Sequence, residues 1–245
     1  VQAGDAKTLR VLLIRHMRND PDDAVSRWLS NNGYQLIKAN PAQQLALPER
    51  ISDVDATVVY GGAQSVNDTS LDYLELEREW LRECLDVGQP IFAICLGAQL
   101  LAQVLGENVY SLSDQRKEIG WTKISPVDGS PAGLLDAPQH FFQWHGEGFN
   151  VPPSARLFAA GEVFPDQGYV LGEKIIATQF HPEIDTDIIR LWNSEAGHEI
   201  ELCPLPSAQT AQQLVDAQRY LPAAATWLDR TLSNWSSHIS ASSDR

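Results

Sequence analysis

Residues 90–106 read PIFAICLGAQLLAQVLG. The apolar run Ile91–Ile94 passes without a spacer into a segment of Leu, Ala and Gln, residues that favour helix. Pro90 opens the stretch and Gly106 closes it. The pattern predicts a buried strand, a tight joint containing Cys95 and Gly97, and then a helix. Such a joint exposes one side chain at the carboxyl end of a sheet, where open α/β folds place their ligands.

The same alternation extends upstream. LRVLLIRH at 9–16 reads as a buried strand ending near Arg15. The next segment, 18–34, predicts a helix capped by Asp20 or Asp22, with Val25, Trp28 and Leu29 on its apolar side and Gly33 as its stop. YQLIKA at 34–39 is a second strand, and Ala56–Tyr60 a third, ending at Gly61-Gly62. SLDYLELEREWLRECLDVG at 70–88 is the clearest helix, with Leu74, Trp80, Leu81 and Leu85 on a broad apolar face. Strand, helix, strand, helix, strand, helix implies the α/β class: a three-layer, open, mostly parallel sheet with helices on both faces.

Beyond Tyr110 the texture changes. WTKISPV, QHFFQWHG and ARLFAAG are shorter strand-like pieces, and residues 168–180 predict a hairpin turning near Gly172-Glu173. His181-Pro182-Glu183 follows directly. Residues 186–204 open with a helix; 207–235 are helical again, with Leu214, Leu221, Trp227 and Leu228 packing. Residues 1–190 are thus read as one α/β domain, and 191–245 as a C-terminal helical extension on or beside it. The Ser-rich end from 233 is expected to fray. Trp192, Trp227 and Trp235 are either core residues or interface anchors.

Composition narrows the function classes. Eighteen Lys and Arg against 32 Asp and Glu leave a net charge of -14, which opposes nucleic-acid backbones and anionic membranes. No stretch approaches the ~20 apolar residues of a membrane span. Three cysteines offer neither a disulfide scaffold nor a paired zinc knuckle. The start carries no signal-peptide pattern, so the expected location is the cytoplasm. HExxH, CxxC, Walker A and GxGxxG patterns are missing, and His140, His145 and Glu147 alone do not make a metal site; no metal and no cofactor are expected.

Cys95 has two readings: a catalytic nucleophile, or a small thiol filling a core gap. The first is supported by the helix N-terminus, which stabilises negative charge, and by the Leu96 N–H, which can donate to an oxyanion. Cys84, mid-helix, reads as structural. A catalytic thiol needs a base held by an acceptor, and QFHPE at 179–183 supplies His181 with Glu183 two residues on. Gly61 and Gly62 permit close backbone approach, either as an oxyanion loop or as a plain strand-ending turn. Gln99, one turn past Cys95, is either a surface residue or a substrate contact. His16, Arg18, Asn19 and Asp20 follow the first strand near the expected rim, as substrate-selecting groups or as a solvated loop.

Taken together, GGAQSV at 61–66, AICLGAQ at 93–99 and QFHPE at 179–183 resemble the three motifs of the class I, triad-type glutamine amidotransferases. LAQVLGENVY, EIGW at 118–121 and QWHGEGF at 143–149 are similar to the GMP-synthase-like group within them. The resemblance covers roughly residues 10–190 and implies a flavodoxin-like fold. It implies that Cys95 attacks a glutamine side-chain amide, that His181 serves the leaving ammonia and is oriented by Glu183, and that Gly62 and Leu96 N–H groups hold the oxyanion. It further implies that Gly61, Gln99, His145 and Gly146 line the substrate pocket. Glutamine or a γ-glutamyl compound would be the substrate, and a separate synthetase or a second copy the partner. Two alternatives stay open: an amide or γ-glutamyl hydrolase without ammonia transfer, and a non-catalytic regulatory or binding subunit. The elbow often reads CLGHQ in this family, whereas here position 98 is Ala.

Overall fold

A computed structural model describes residues 8–19, 21–203 and 206–240. Strands β1 (Arg10–Ile14), β2 (Gln35–Ala39), β3 (Ala56–Val59) and β4 (Ile91–Ile94) alternate with helices α1 (Ala24–Asn31), α2 (Tyr73–Asp86) and α3 (Leu96–Val104). Then come β5 (Val109–Ser111), β6 (Glu118–Pro126), β7 (Gln139–His145), β8 (Glu147–Phe149), β9 (Arg156–Ala160), β10 (Asp166–Leu171) and β11 (Ile175–Thr178). Helices α4 (Thr186–Ala196) and α5 (Thr210–Ser236) complete the chain. The main sheet runs β2-β1-β3-β4-β11-β10-β9-β6-β7, and β5 pairs with β8 apart from it. Pairing is parallel from β2 through to β11 and antiparallel beyond.

Side-chain alternation sorts the central strands into two cores. Val11, Leu13, Phe92 and Ile94 face a layer formed by α1, α4 and α5, which contributes Leu29, Ile189, Trp227, Leu232 and Trp235. Leu12, Ile14, Ile91 and Ala93 face α2 and α3, which contribute Leu81, Cys84, Leu100 and Leu101. Strands buried on both faces need apolar residues at every position, and that is why β1, β3 and β4 lack a polar alternation. The chain leaves β1 towards β2 on one side and β3 towards β4 on the other. The carboxyl ends of β1 and β3 therefore flank a topological switch point, where a crevice opens.

Three expectations need correction. The cap of α1 is neither Asp20, which lies outside the described residues, nor Asp22, but Asp23, whose side chain accepts from the Val25 and Ser26 N–H groups. Asp23 is buried and also paired with Arg15, so the cap doubles as a core ion pair. The Ser-rich end does not fray at its start: α5 continues to Ser236, with Trp235 fully buried and its indole N–H donating to the Lys174 carbonyl at 3.0 Å. Trp192 is neither wholly core nor an outward anchor; it joins the core rim to the cavity described below, whereas Trp227 and Trp235 are core.

The extension is docked by backbone as much as by side chains. Gly120 of β6 takes φ +93°, and a Cβ there would lie 2.1 Å from the Ser207 carbonyl oxygen. The neighbouring Trp121 indole donates to the Gln213 carbonyl at 3.1 Å. No helix among the described residues is long and apolar enough to cross a membrane. Trp235→Ala should destabilise the whole fold by about 3–5 kcal/mol, as expected for removing a buried indole. Urea denaturation measures this; a loss under about 1 kcal/mol would mean that α5 is not integral to the core.

Candidate active site

Four strand ends converge on one cavity of about 360 Å³, whose lining includes Gly61, Gly62, Cys95, Gln99 and His181. Cys95 sits directly between β4 and α3, with φ +50° and ψ -106°. A non-glycine residue there carries strain of roughly 1–3 kcal/mol, which the surroundings must hold. They do so through three contacts. The Cys95 N–H donates to the Thr178 carbonyl at 2.7 Å, and the Gln99 N–H closes the first helical turn on the Cys95 carbonyl at 3.0 Å. Gly97 brings α3 so close to β3 that a Cβ would fall 2.3 Å from the Val59 carbonyl oxygen. Leu96 opens the helix, so its N–H has no intrahelical acceptor.

His181 follows β11 and is fixed by its N–H to the Phe142 carbonyl at 2.9 Å. Its Nδ1 lies 2.8 Å from Glu183 Oε1, with both side chains buried. Glu183 is itself anchored, since its carbonyl accepts from the Ala24 N–H at 3.0 Å. The His181 Nε2 is buried with no hydrogen bond of full geometry. Because Nδ1 faces Glu183, this nitrogen is the one turned towards Cys95. Burial favours the neutral ring, but the Glu183 carboxylate and the Cys95 sulfur outweigh it and raise the His181 pKa from 6.5 to about 10. The indole of Trp192 stands edge-on to the imidazole at 4.8 Å, closing one side of the ring from water.

The remaining sequence candidates have distinct positions. Gly61 and Gly62 line the cavity opposite α3; a Cβ at Gly61 would lie 2.7 Å from His181 Cε1. Gln99 is buried, and its amide nitrogen is already committed to the Glu147 carbonyl at 2.9 Å and to Gln179 Oε1 at 3.2 Å. His145 and Gly146 form the facing wall, His145 held by the Glu147 carbonyl at 2.8 Å and beside Glu118 at 3.1 Å. His16 is not in a solvated loop: it is buried behind Gly61, whereas Arg18 and Asn19 are exposed. Cys84 is buried in α2 with its thiol towards Gln89, as a structural cysteine should be.

The sequence assigns no role to several groups at the site, although Gln179 lies within QFHPE. Gln179 donates to the Cys95 sulfur at 3.6 Å. Glu195 and Glu199, from beyond residue 190, line the cavity, and Glu199 pairs with Lys117 at 2.5 Å. Nothing in a helical extension announces that its carboxylates return to a distant mouth. Behind the base, Glu183 also lines a second cavity of about 40 Å³ with Arg15, Asp23 and Tyr60. The Arg15 guanidinium stacks 3.9 Å over the Tyr60 ring, whose hydroxyl donates to Asp23 at 3.2 Å. Burial, reinforced by Asp23, holds that phenol well above its usual pKa and therefore neutral.

A family model, "Glutamine amidotransferase class-I", matches residues 23–187. The chain is 26% identical over 192 residues to the glutamine amidotransferase-like protein YfeJ of Salmonella typhimurium, covering 74% of this chain and 78% of that one. It is 29% identical over 143 residues to the glutamine-hydrolysing GMP synthase of Wolbachia pipientis wMel, covering 56% of this chain but only 27% of that enzyme. In architecture it is similar to the crystal structure of a Thermotoga maritima glutamine amidotransferase, with a TM-score of 0.84 over 94% of this chain and 99% of the other. Their sequence identity is 24%, a likeness of fold.

The raised His181 pKa has a definite sign. A folded value above 6.5 contributes stability in full below pH 6.5 and loses it as the pH rises through about 10. In an NMR titration the His181 ring should stay protonated across neutrality. Glu183→Gln should lower its midpoint by about 1–3 units; an unmoved midpoint would show that Glu183 does not hold the proton.

Proposed function

Since the chain belongs to the class-I glutamine amidotransferase family, we propose that it hydrolyses the side-chain amide of glutamine through a γ-glutamyl thioester on Cys95. The observation that carries this reading is the convergence of a strained cysteine and a buried His181–Glu183 pair, 2.8 Å apart, on one cavity. Each group then has a role that its position supports.

The Cys95 thiolate attacks the amide carbon, forming the C–S bond while the carbonyl electrons move to oxygen. The Leu96 and Gly62 N–H groups receive that oxyanion. The His181 imidazolium gives its proton to the amide nitrogen, the C–N bond breaks, and ammonia leaves. His181, now neutral, takes a proton from water as the water oxygen attacks the thioester. The C–S bond breaks, glutamate departs, and the thiolate–imidazolium pair is restored. Glu183 holds the ring orientation throughout without itself transferring a proton. Gln179 steadies the sulfur, and His145 and Gly146 supply the wall against the substrate's amino-acid end. No step calls for a cofactor.

We further propose that the ammonia is delivered to an acceptor site on a separate protein. The matched segment is 27% of the Wolbachia GMP synthase, so most of that enzyme has no counterpart in the alignment. Residues 191–245 act here as an extension of the amidotransferase unit, since Glu195 and Glu199 reach the cavity mouth.

Ammonia release from free glutamine should fall about a thousandfold or more on Cys95→Ala. An electrophilic glutamine analogue should add its mass to Cys95. No labelling of Cys95, even with candidate partners present, would sink the reading. Glutamate release from γ-glutamyl peptides with little ammonia from glutamine would reassign the chain as a γ-glutamyl hydrolase with the same triad.

A further inference from the structure

The glycine loop is gripped from behind by a buried pair that the chemistry above does not use. His16, two residues past β1, is 2% exposed, and Glu77 on α2 is 0% exposed. His16 Nε2 lies 2.9 Å from Glu77 Oε2, and its Nδ1 lies 3.3 Å from the Gly61 carbonyl oxygen. A carbonyl oxygen and a carboxylate both only accept, and a neutral imidazole has a single N–H. For both contacts to be hydrogen bonds, the pair must share two protons. Either the ring is an imidazolium between two acceptors, or Glu77 keeps a proton and donates it to Nε2. In both arrangements the Nδ1–H donates to Gly61.

That bond decides where Gly62 points. In a planar trans peptide the carbonyl of one residue and the N–H of the next face opposite ways. Fixing the Gly61 carbonyl on His16 turns the Gly62 N–H away from His16. The cavity lined by Gly61, Gly62 and Cys95 provides the open side. Two adjacent glycines offer little resistance of their own to a peptide flip, so an outside anchor is needed. The space beside Gly62 admits no side chain: a Cβ there would fall 2.7 Å from His16 Cβ and 2.9 Å from Leu96 Cδ2.

We propose that His16, backed by Glu77, is a positioning residue that presets the Gly61–Gly62 peptide, so that the oxyanion hole exists before substrate or partner arrives. The kinetic half of this inference rests on the proposed thioester chemistry; the proton count does not.

Two measurements test it. In ¹⁵N-labelled full-length protein, the ring nitrogens of His16 should show a protonated Nδ1, the signals being assigned by their loss in His16→Gln. A bare Nδ1 in the folded protein overturns the proposal, whether or not glutamine is cleaved. In kinetics, His16→Leu should lower kcat for glutamine hydrolysis by about 10- to 100-fold with KM nearly unchanged. Alkylation of Cys95 by iodoacetamide needs the thiol but no oxyanion hole, so its rate should hold. His16→Gln keeps a side-chain N–H donor and should recover part of kcat, which guards against a His16→Leu variant that fails to fold. Unchanged kcat in the folded variants, or an equal fall in alkylation, would refute the positioning role. A wild-type protein that cleaves no glutamine would count against the function proposed above, leaving the Nδ1 result to stand or fall alone.

Discussion

The site depends on one strained backbone position. Cys95 holds φ +50° because it is the single residue between β4 and α3, so the polypeptide must make the whole turn at the cysteine. Strain of this kind persists where the surroundings over-determine it. Here the Thr178 carbonyl takes the Cys95 N–H, and a side-chain-free Gly97 lets the helix press against β3. A sheet buried on both faces makes those strands rigid, so the elbow's geometry is inherited from the core. In return, the sulfur and a helix N-terminus are brought to one point.

Around that point the protein uses burial to make electrostatics strong. His181 and Glu183 are both shielded from water, so their attraction outweighs the burial that would otherwise neutralise the ring. The indole of Trp192 packs perpendicular to the imidazole, and Arg15, Asp23 and the neutral Tyr60 form a tied polar cluster behind the carboxylate. The extension beyond residue 190 shares in the site, because Trp192, Glu195 and Glu199 face the cavity. Its role is therefore more than support, although Trp227, Leu232 and Trp235 also make it part of the core.

The loop at Gly61 and Gly62 shows how flexibility and order are combined. Glycines allow the backbone to approach Cys95 and His181 within a distance that no side chain would tolerate. The same freedom leaves the peptide without a preferred direction, and His16 supplies one from β1 while Glu77 supports His16 from α2. The ends of two neighbouring strands and a helix on one face of the sheet thus meet at a single peptide unit.

By itself, the sequence determined the α/β class, the strand-to-helix elbow at Cys95 and the His181-Pro182-Glu183 segment. These are local: each needs only a short window, because hydrophobic period, glycine placement and a two-residue spacing are written within it. The same locality explains the errors. Asp20 and Asp22 are equal candidates for the α1 cap by spacing, whereas the folded chain uses Asp23, which caps Val25 and Ser26 and pairs with the buried Arg15. The serines after 233 read as a loose end because nothing nearby reveals that Trp235 lies against Phe92 of β4. Tertiary structure alone decided that His16 sits behind Gly61, that Gln179 faces the sulfur and that Glu195 and Glu199 return to the mouth. Those relations join residues far apart in the chain, and only strand order and the packing of helices across the sheet bring them within hydrogen-bonding distance.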